Sequence, residues 1–308
     1  MSIKKILIFG GNGLVGSSCS RVLGKSEYYE VFESTRSDTN LFSLKETSKT
    51  INEISPDVII NAAAKVGGIL ANNNFRTEFI IENLKININI FESCIGKPKI
   101  DIINLGSSCI YPLDAQNPIK ETSFMEGKLE ETNSPYAMAK ISSIEIGRSL
   151  NKQFGNKVIN LMPTNLYGPN DNFDRESSHV IPGLIRRMQD SKNNGDKEFL
   201  VWGDGKPLRE FLYVDDLALA IQFVLKNDIN EDLINIGYGE EISIKELAEK
   251  VKKIIGFDGR IVFDKSKPNG NPRKLLDTSK MNSYGWRPQY RLDEGLKISY
   301  DWFKNNLN

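Results

Sequence analysis

The chain begins with the apolar run "KILIF" (residues 5–9) and passes straight into "GGNGLVG" (10–16), and no other feature constrains the fold as tightly. A strand that feeds a helix through glycines makes a tight turn whose backbone a pyrophosphate can approach closely. The helix start then offers free N–H groups and positive dipole charge. The step from Gly10 to Gly13 is wider than in the commonest glycine fingerprint, and a glycine-rich turn alone also suits an ordinary loop. Placed after a strand and before an apolar helix, it predicts a dinucleotide site built from Gly10, Gly11, Asn12, Gly13, Leu14, Val15 and Gly16.

The pattern that follows agrees. Apolar runs at 30–35, 57–64, 101–108 and 158–163 alternate with helical stretches through Leu23, over 79–95 and from near Pro135. Continuous apolar strands separated by helices predict a parallel sheet covered on both faces. Past residue 168 the rhythm changes: helices near 178–190, 214–227, 243–255 and 293–305 alternate with "FLVWG", "LINIG" and "RIVFD". The expected architecture is α/β, a Rossmann-type doubly wound sheet over 1–167 with a smaller α/β substrate domain over 168–308. Some later segments are expected to return to the first domain.

Composition narrows the classes. The 40 basic and 40 acidic residues cancel, which argues against a nucleic-acid groove or an acidic membrane surface as partner. The first apolar run is about five residues, shorter than the roughly 7–15 of a secretory leader, and no run approaches the ~20 of a membrane span. Three cysteines at wide spacing suit neither a disulfide framework nor a metal cluster. A cytoplasmic protein without a structural metal is expected.

One of those cysteines lies in "GSSCIYP" (106–112). Read as the end of a strand over 105–110, the stretch places Ser107 and Cys109 on one face and Ser108 on the other. Most free cysteines are small buried hydrophobes, which is the ordinary reading of Cys109. Further on, "NSPYAMAK" puts Tyr136 and Lys140 four residues apart on one helix face after a Ser-Pro start. A lysine cation beside a phenol is expected to lower its pKa and make it a usable proton donor. Glu33 and Arg36 follow the second strand, where an adenosine ribose would lie. An acid there suits a free 2′-hydroxyl and an arginine a 2′-phosphate, and Arg36 favours NADP.

The glycine turn, the serine after a strand and the Y-x-x-x-K helix together resemble the short-chain dehydrogenase/reductase superfamily in its extended form. Its Ser, Tyr and Lys make the hydride-transfer site and match Ser107, Tyr136 and Lys140. Longer blocks narrow this. "AAAKVGGILANN", "LGSSCIYP", "LEETNSPYAMAK", "MPTNLYGPNDNF", "SHVIPGLIRR", "VWGDGKPLREFLYVDD" and "SKPNGNPRKLLD" are similar to the GDP-L-fucose synthase family, from residue 10 to about 277.

That resemblance implies NADPH-dependent 3,5-epimerisation and 4-reduction of GDP-4-keto-6-deoxy-D-mannose. Cys109 and His179, the chain's single histidine, become the epimerisation pair. It further implies cofactor contacts at Leu105, Gly106, Lys140, Pro163, Asn165, Leu166 and His179. Arg187 and Arg209 suit a diphosphate and Trp202 a base or sugar face. Asn269 stands where the family's "SKPDG" has an aspartate, so a base edge would meet one amide oxygen instead of two carboxylate oxygens. A C4-reductase of a related GDP-4-keto deoxyhexose or heptose is the alternative within enzymes. A non-catalytic dinucleotide sensor is disfavoured by the intact Ser107, Tyr136 and Lys140. A homodimer through the long helices near 73–95 and 136–154 is implied by the superfamily.

Overall fold

In the computed structural model, which describes residues 3–266 and 269–307, the apolar runs form one central sheet. Its strands are β1 (Lys4–Phe9), β2 (Tyr29–Ser34), β3 (Val58–Asn61), β4 (Asp101–Leu105), β5 (Val158–Pro163) and β10 (Leu233–Ile236). They run parallel in the order β10-β5-β4-β3-β1-β2. Within β1, Ile6 and Ile8 face one helical layer while Leu7 and Phe9 face the other, and all four are fully buried. That is why the strand is apolar throughout instead of alternating.

Helices α1 (Leu14–Leu23) and α7 (Val214–Lys226) cover the first face. Helices α2 (Leu44–Ile54), α4 (Arg76–Ser93) and α5 (Ser134–Phe154) cover the second, and the short α3 (Ile69–Asn74) precedes α4. Helix α5 carries Pro135 in its first turn and stops at Gly155, whose φ of 82° suits a residue without Cβ. The "LINIG" run thus supplies an edge strand of the first sheet, and α7 covers α1, although both come from the second half of the chain.

The remaining elements are β6 (Asn165–Tyr167), α6 (Val180–Asn194), β7 (Glu198–Trp202), β8 (Leu208–Arg209) and β9 (Phe211–Tyr213). They continue with β11 (Ile242–Ser243), α8 (Ile244–Ile255), β12 (Arg260–Asp264), β13 (Arg273–Lys274), α9 (Ser279–Ser283) and α10 (Leu292–Leu307). Helices α6, α8 and α10 enclose a second core around Leu184, Met188, Leu247, Val251 and Phe303. Two short pairs, β6–β9 and β7–β12, and a three-stranded sheet, β11-β8-β13, frame it.

One expectation about the strands is corrected. The strand expected over 101–108 stops at Leu105, and residues 108–110 form a single 3₁₀ turn. The ladder ends once the Gly106 N–H has donated to the Leu161 carbonyl. The Ser107 hydroxyl then accepts from the Cys109 N–H at 3.3 Å and starts the turn. Strand alternation therefore does not place Ser107 beside Cys109; a local cap does.

Candidate active site

The candidate residues of the glycine turn, with Ser107, Cys109 and Pro163, lie where the parallel strands end, the edge at which open α/β sheets bind ligands. After β1 the chain turns through Gly10, whose φ is +81°. A Cβ on Gly16 would sit 2.1 Å from the Gly10 carbonyl oxygen, so α1 can start this close to the strand only with glycine there. Asn12 and Gly13 are exposed at the turn, Leu14 and Val15 begin the helix, and Gly11 packs against Glu33. These residues fit a pyrophosphate: exposed backbone at a helix N-terminus, with no acidic side chain in the first turn.

The Glu33 carboxylate accepts from the Ser20 hydroxyl. Arg36 is exposed, and its side chain makes no hydrogen bond or ion pair among the described residues. At the end of β5, Pro163 is buried. Beyond it the Asn165 amide donates to the Glu210 carbonyl at 2.8 Å, and Leu166 packs on the core.

Ser107 and Cys109 lie with Oγ and Sγ 3.0 Å apart. The three thiols are not alike. Cys19 and Cys94 are buried, and desolvation pushes each thiol up to about 12, whereas Cys109 keeps part of its surface open. The ordinary reading of a cysteine as core filler fits the first two and fails at Cys109.

Lys140 is 3% exposed, and its ammonium donates to the Leu105 carbonyl at 2.8 Å. Burial lowers its pKa to about 8, opposed by the charge of Cys109. Its Nζ lies 5.7 Å from the centre of the Tyr136 ring. The expected lowering of the Tyr136 pKa is corrected: burial raises it, and the charge of Cys109 raises it further. Lys140 holds its proton against a carbonyl instead of the phenol oxygen, so Tyr136 is fully protonated at neutral pH. Phe79 meets the Tyr136 ring edge-on at 6.3 Å between centroids.

His179 is the N-cap residue of α6. Its surface is exposed, yet crowding by protein atoms pushes its pKa below the ordinary imidazole value by desolvation. The exposed surface is the better guide to its chemistry, because an imidazole that reaches water can exchange its proton. On the next turns of α6, the Arg187 guanidinium lies 5.7 Å from the Phe199 ring and 5.6 Å from the Trp202 ring, and burial lowers its pKa. The Arg209 guanidinium donates to the Leu208 carbonyl at 2.9 Å, and its Nη2 lies 3.4 Å from where a Cβ on Gly270 would sit. Next to it, the Asn269 oxygen accepts from the Asp204 N–H at 2.8 Å. The structure thus joins Ser107, Cys109, Tyr136 and Lys140 in one cluster and Arg187 with Trp202 in another. Among the described residues no hydrogen bond, ion pair or ring contact links His179 to the first.

Two groups went unnoticed in the sequence. Glu210 is fully buried between Arg209 and β9; its carboxylate accepts from the N–H groups of Gly239 at 2.7 Å and Leu276 at 3.1 Å. Asp171 sits in a polar run that reads as a loop, yet burial pushes its carboxyl up to about 7, and its Oδ2 is buried without a hydrogen-bond partner. Burial is a tertiary property, and no local pattern announces it at either position. Among the described residues no set of three or more His, Cys, Asp or Glu could hold a metal, and no helix is long and apolar enough to cross a membrane.

The NAD dependent epimerase/dehydratase family model matches residues 6–237. The chain belongs to that family. It is 45% identical over 303 residues to GDP-L-fucose synthase 1 of Arabidopsis thaliana, covering 98% of this chain and 94% of that one. Among solved structures, a GDP-L-fucose synthetase from Naegleria fowleri bound to NADP superposes with a TM-score of 0.90 at 29% identity, covering 99% of this chain and 95% of that one. A GDP-6-OMe-4-keto-L-xylo-heptose reductase from C. jejuni gives a TM-score of 0.91 at 31% identity, with 99% of both chains covered. The extended dehydrogenase/reductase expectation is met over nearly the whole chain.

Proposed function

We infer that this protein is an NADPH-dependent oxidoreductase and epimerase that converts GDP-4-keto-6-deoxy-D-mannose to GDP-L-fucose. The observation that carries the reading is the Ser107–Cys109 contact beside Tyr136 and Lys140, in a chain matching a GDP-L-fucose synthase over 98% of its length. The turn from Gly10 to Gly16 holds the pyrophosphate. Lys140, Leu105, Gly106, Pro163, Asn165, Leu166 and His179 line the nicotinamide side. When bound, NADPH supplies the hydride for C4 of the sugar.

The protein's own groups do the rest. A 4-keto group acidifies C3–H and C5–H, and a base removes one of these protons from one face of the ring. Ser107 and Tyr136 donate hydrogen bonds to the enolate oxygen, and an acid returns a proton to the other face. Cys109 and His179 are the two groups that divide this work. In the reduction, Tyr136 gives its proton to the C4 oxygen. Arg187 and Arg209 hold the diphosphate, and Trp202 and Asn269 border the base or sugar.

Arg36 supports NADPH over NADH, since Glu33 is engaged by Ser20 and the guanidinium is open to a 2′-phosphate. NADPH is expected to show the higher kcat/KM, and Arg36→Ala to remove most of that preference. Equal efficiency with both cofactors in the parent would assign the choice to Glu33.

Two features favour a homodimer through α4 and α5. Ile81 and Ile88, seven residues apart on α4, are 45% and 42% exposed, and Met138 on α5 is 44% exposed. Sedimentation as a monomer at micromolar concentration would count against the dimer. Three free cysteines suit a reducing, cytoplasmic setting.

A second reading rests on Asn269. Its oxygen is already used by Asp204, which leaves the amide NH₂ to face a ligand as a donor and suits a pocket retuned for another GDP-4-keto sugar. Incubation with GDP-4-keto-6-deoxymannose and NADPH in D₂O, with the product identified by NMR, decides between the two. GDP-L-fucose labelled at C3 or C5 supports the first. A reduced sugar without that label supports the second.

A further inference from the structure

The loop before α3 touches both ends of the site. The Gly68 N–H donates to the Ser177 carbonyl at 2.9 Å, and a Cβ on Gly68 would lie 2.6 Å from the Ser178 carbonyl oxygen. Ser178 is also close to α6, where a Cβ on Gly183 would come within 2.8 Å of its hydroxyl. The next residue is His179. The loop itself is fixed: the Asn72 amide donates to the carbonyls of Gly67 at 2.7 Å and Gly68 at 3.1 Å. Asn83 exchanges two 3.0 Å hydrogen bonds with the backbone of Lys65. On its other side, a Cβ on Gly67 would lie 3.3 Å from the Phe79 ring that meets Tyr136 edge-on.

We propose that Gly68 is a positioning residue for His179. Lacking a side chain, it lets the Ser178 carbonyl close against the loop, and this contact sets where the imidazole stands relative to the Ser107–Cys109 turn. Gly68 has φ of −67° and ψ of −179°, values open to any residue, so the need for glycine comes from the close approach and not from backbone conformation. A methyl group there must push the Ser178 carbonyl away by about an ångström to reach ordinary contact. With Gly183 close to the Ser178 hydroxyl, the displacement passes to the following peptide and its ring. A misplacement of about 1 Å costs on the order of 10² in rate when the displaced group takes part in chemistry.

The catalytic part of this inference rests on the proposed epimerisation; the positional part does not. His179 is the single histidine in the chain, so its imidazole gives one set of ring signals by NMR in the intact protein without substrate. Gly68→Ala is expected to move the His179 ring shift and its titration midpoint. Asn72→Ala, which loosens the loop without adding bulk, is expected to move both less. Gly67→Ala, directed at Ala71 and Phe79, leaves them in place. In turnover, Gly68→Ala is expected to cut C3 and C5 inversion by about 10²-fold, and to cut reduction of an already inverted sugar, in which His179 only borders the nicotinamide, by no more than about tenfold.

An unchanged His179 signal and titration in folded Gly68→Ala overturns the inference. So does an equal loss of inversion and reduction. Should Gly68→Ala not fold, unchanged signals in Asn72→Ala overturn it. A parent enzyme that introduces no deuterium refutes the proposed epimerisation, and the NMR comparison still decides whether Gly68 positions His179.

Discussion

Tyr136→Phe is expected to slow NADPH oxidation with the 4-keto sugar by at least about 10²-fold, the usual loss when a general acid is deleted. The ring stays, so its edge-on contact with Phe79 and its place under Lys140 persist. Cofactor affinity should therefore change little, because Lys140 keeps its bond to the Leu105 carbonyl. Burial raises the Tyr136 pKa above the ordinary phenol value, so the hydroxyl carries its proton throughout the neutral range. An alkaline fall in activity near pH 8 would then report Lys140, whose buried ammonium loses its proton as pH rises through about 8. Retention of more than about a tenth of the parent rate in Tyr136→Phe would mean that another group delivers the proton.

Cys109→Ser is expected to abolish deuterium entry at C3 and C5, the second large effect. A hydroxyl is a far weaker acid than a thiol and does not supply the anionic base. The change keeps the size of the side chain and its place on the 3₁₀ turn started by Ser107. Reduction of a sugar supplied already inverted should survive, since Ser107, Tyr136 and Lys140 are untouched. His179→Asn is expected to separate the two half-steps: a proton is still removed and exchanges with solvent, but it does not return to the opposite face. Full deuterium incorporation in Cys109→Ser would remove Cys109 from the role of base.

Most of the sheet was legible because its strands are apolar on both faces, and only a helix-covered parallel sheet hides such runs. The ends of the strands were less so. Asn61, Asn104 and Asn160 lie in one register row, and the last two pair inside the sheet at 2.8 Å. The runs therefore lose their apolar character while still in the ladder, and 105–110 read as strand although Ser107 caps a turn. The Ser107, Tyr136 and Lys140 set was readable because its spacing is local or tied to element ends. The Gly68–Ser178 approach joins positions more than a hundred residues apart and has no local signature. The burial that raises Tyr136 and lowers Lys140 comes from the surrounding elements and is likewise invisible in "NSPYAMAK".

The central sheet closes late in synthesis. Strand β10 pairs with β5, α7 lies over α1, and Met281 and Trp286 join the same core, so the first domain is finished only after the chain has been made through residue 286. Domains otherwise tend to fold from the N-terminus as they emerge. Here the nascent sheet waits with the β5 edge open and with Cys19 and Leu23 lacking the cover of Leu217 and Ile221. An open edge and an apolar face are the two features most prone to wrong pairing. Until residues 168–286 have been made, that edge and that face lack their partners, and a ribosome that pauses in this stretch is expected to lengthen exposure to aggregation.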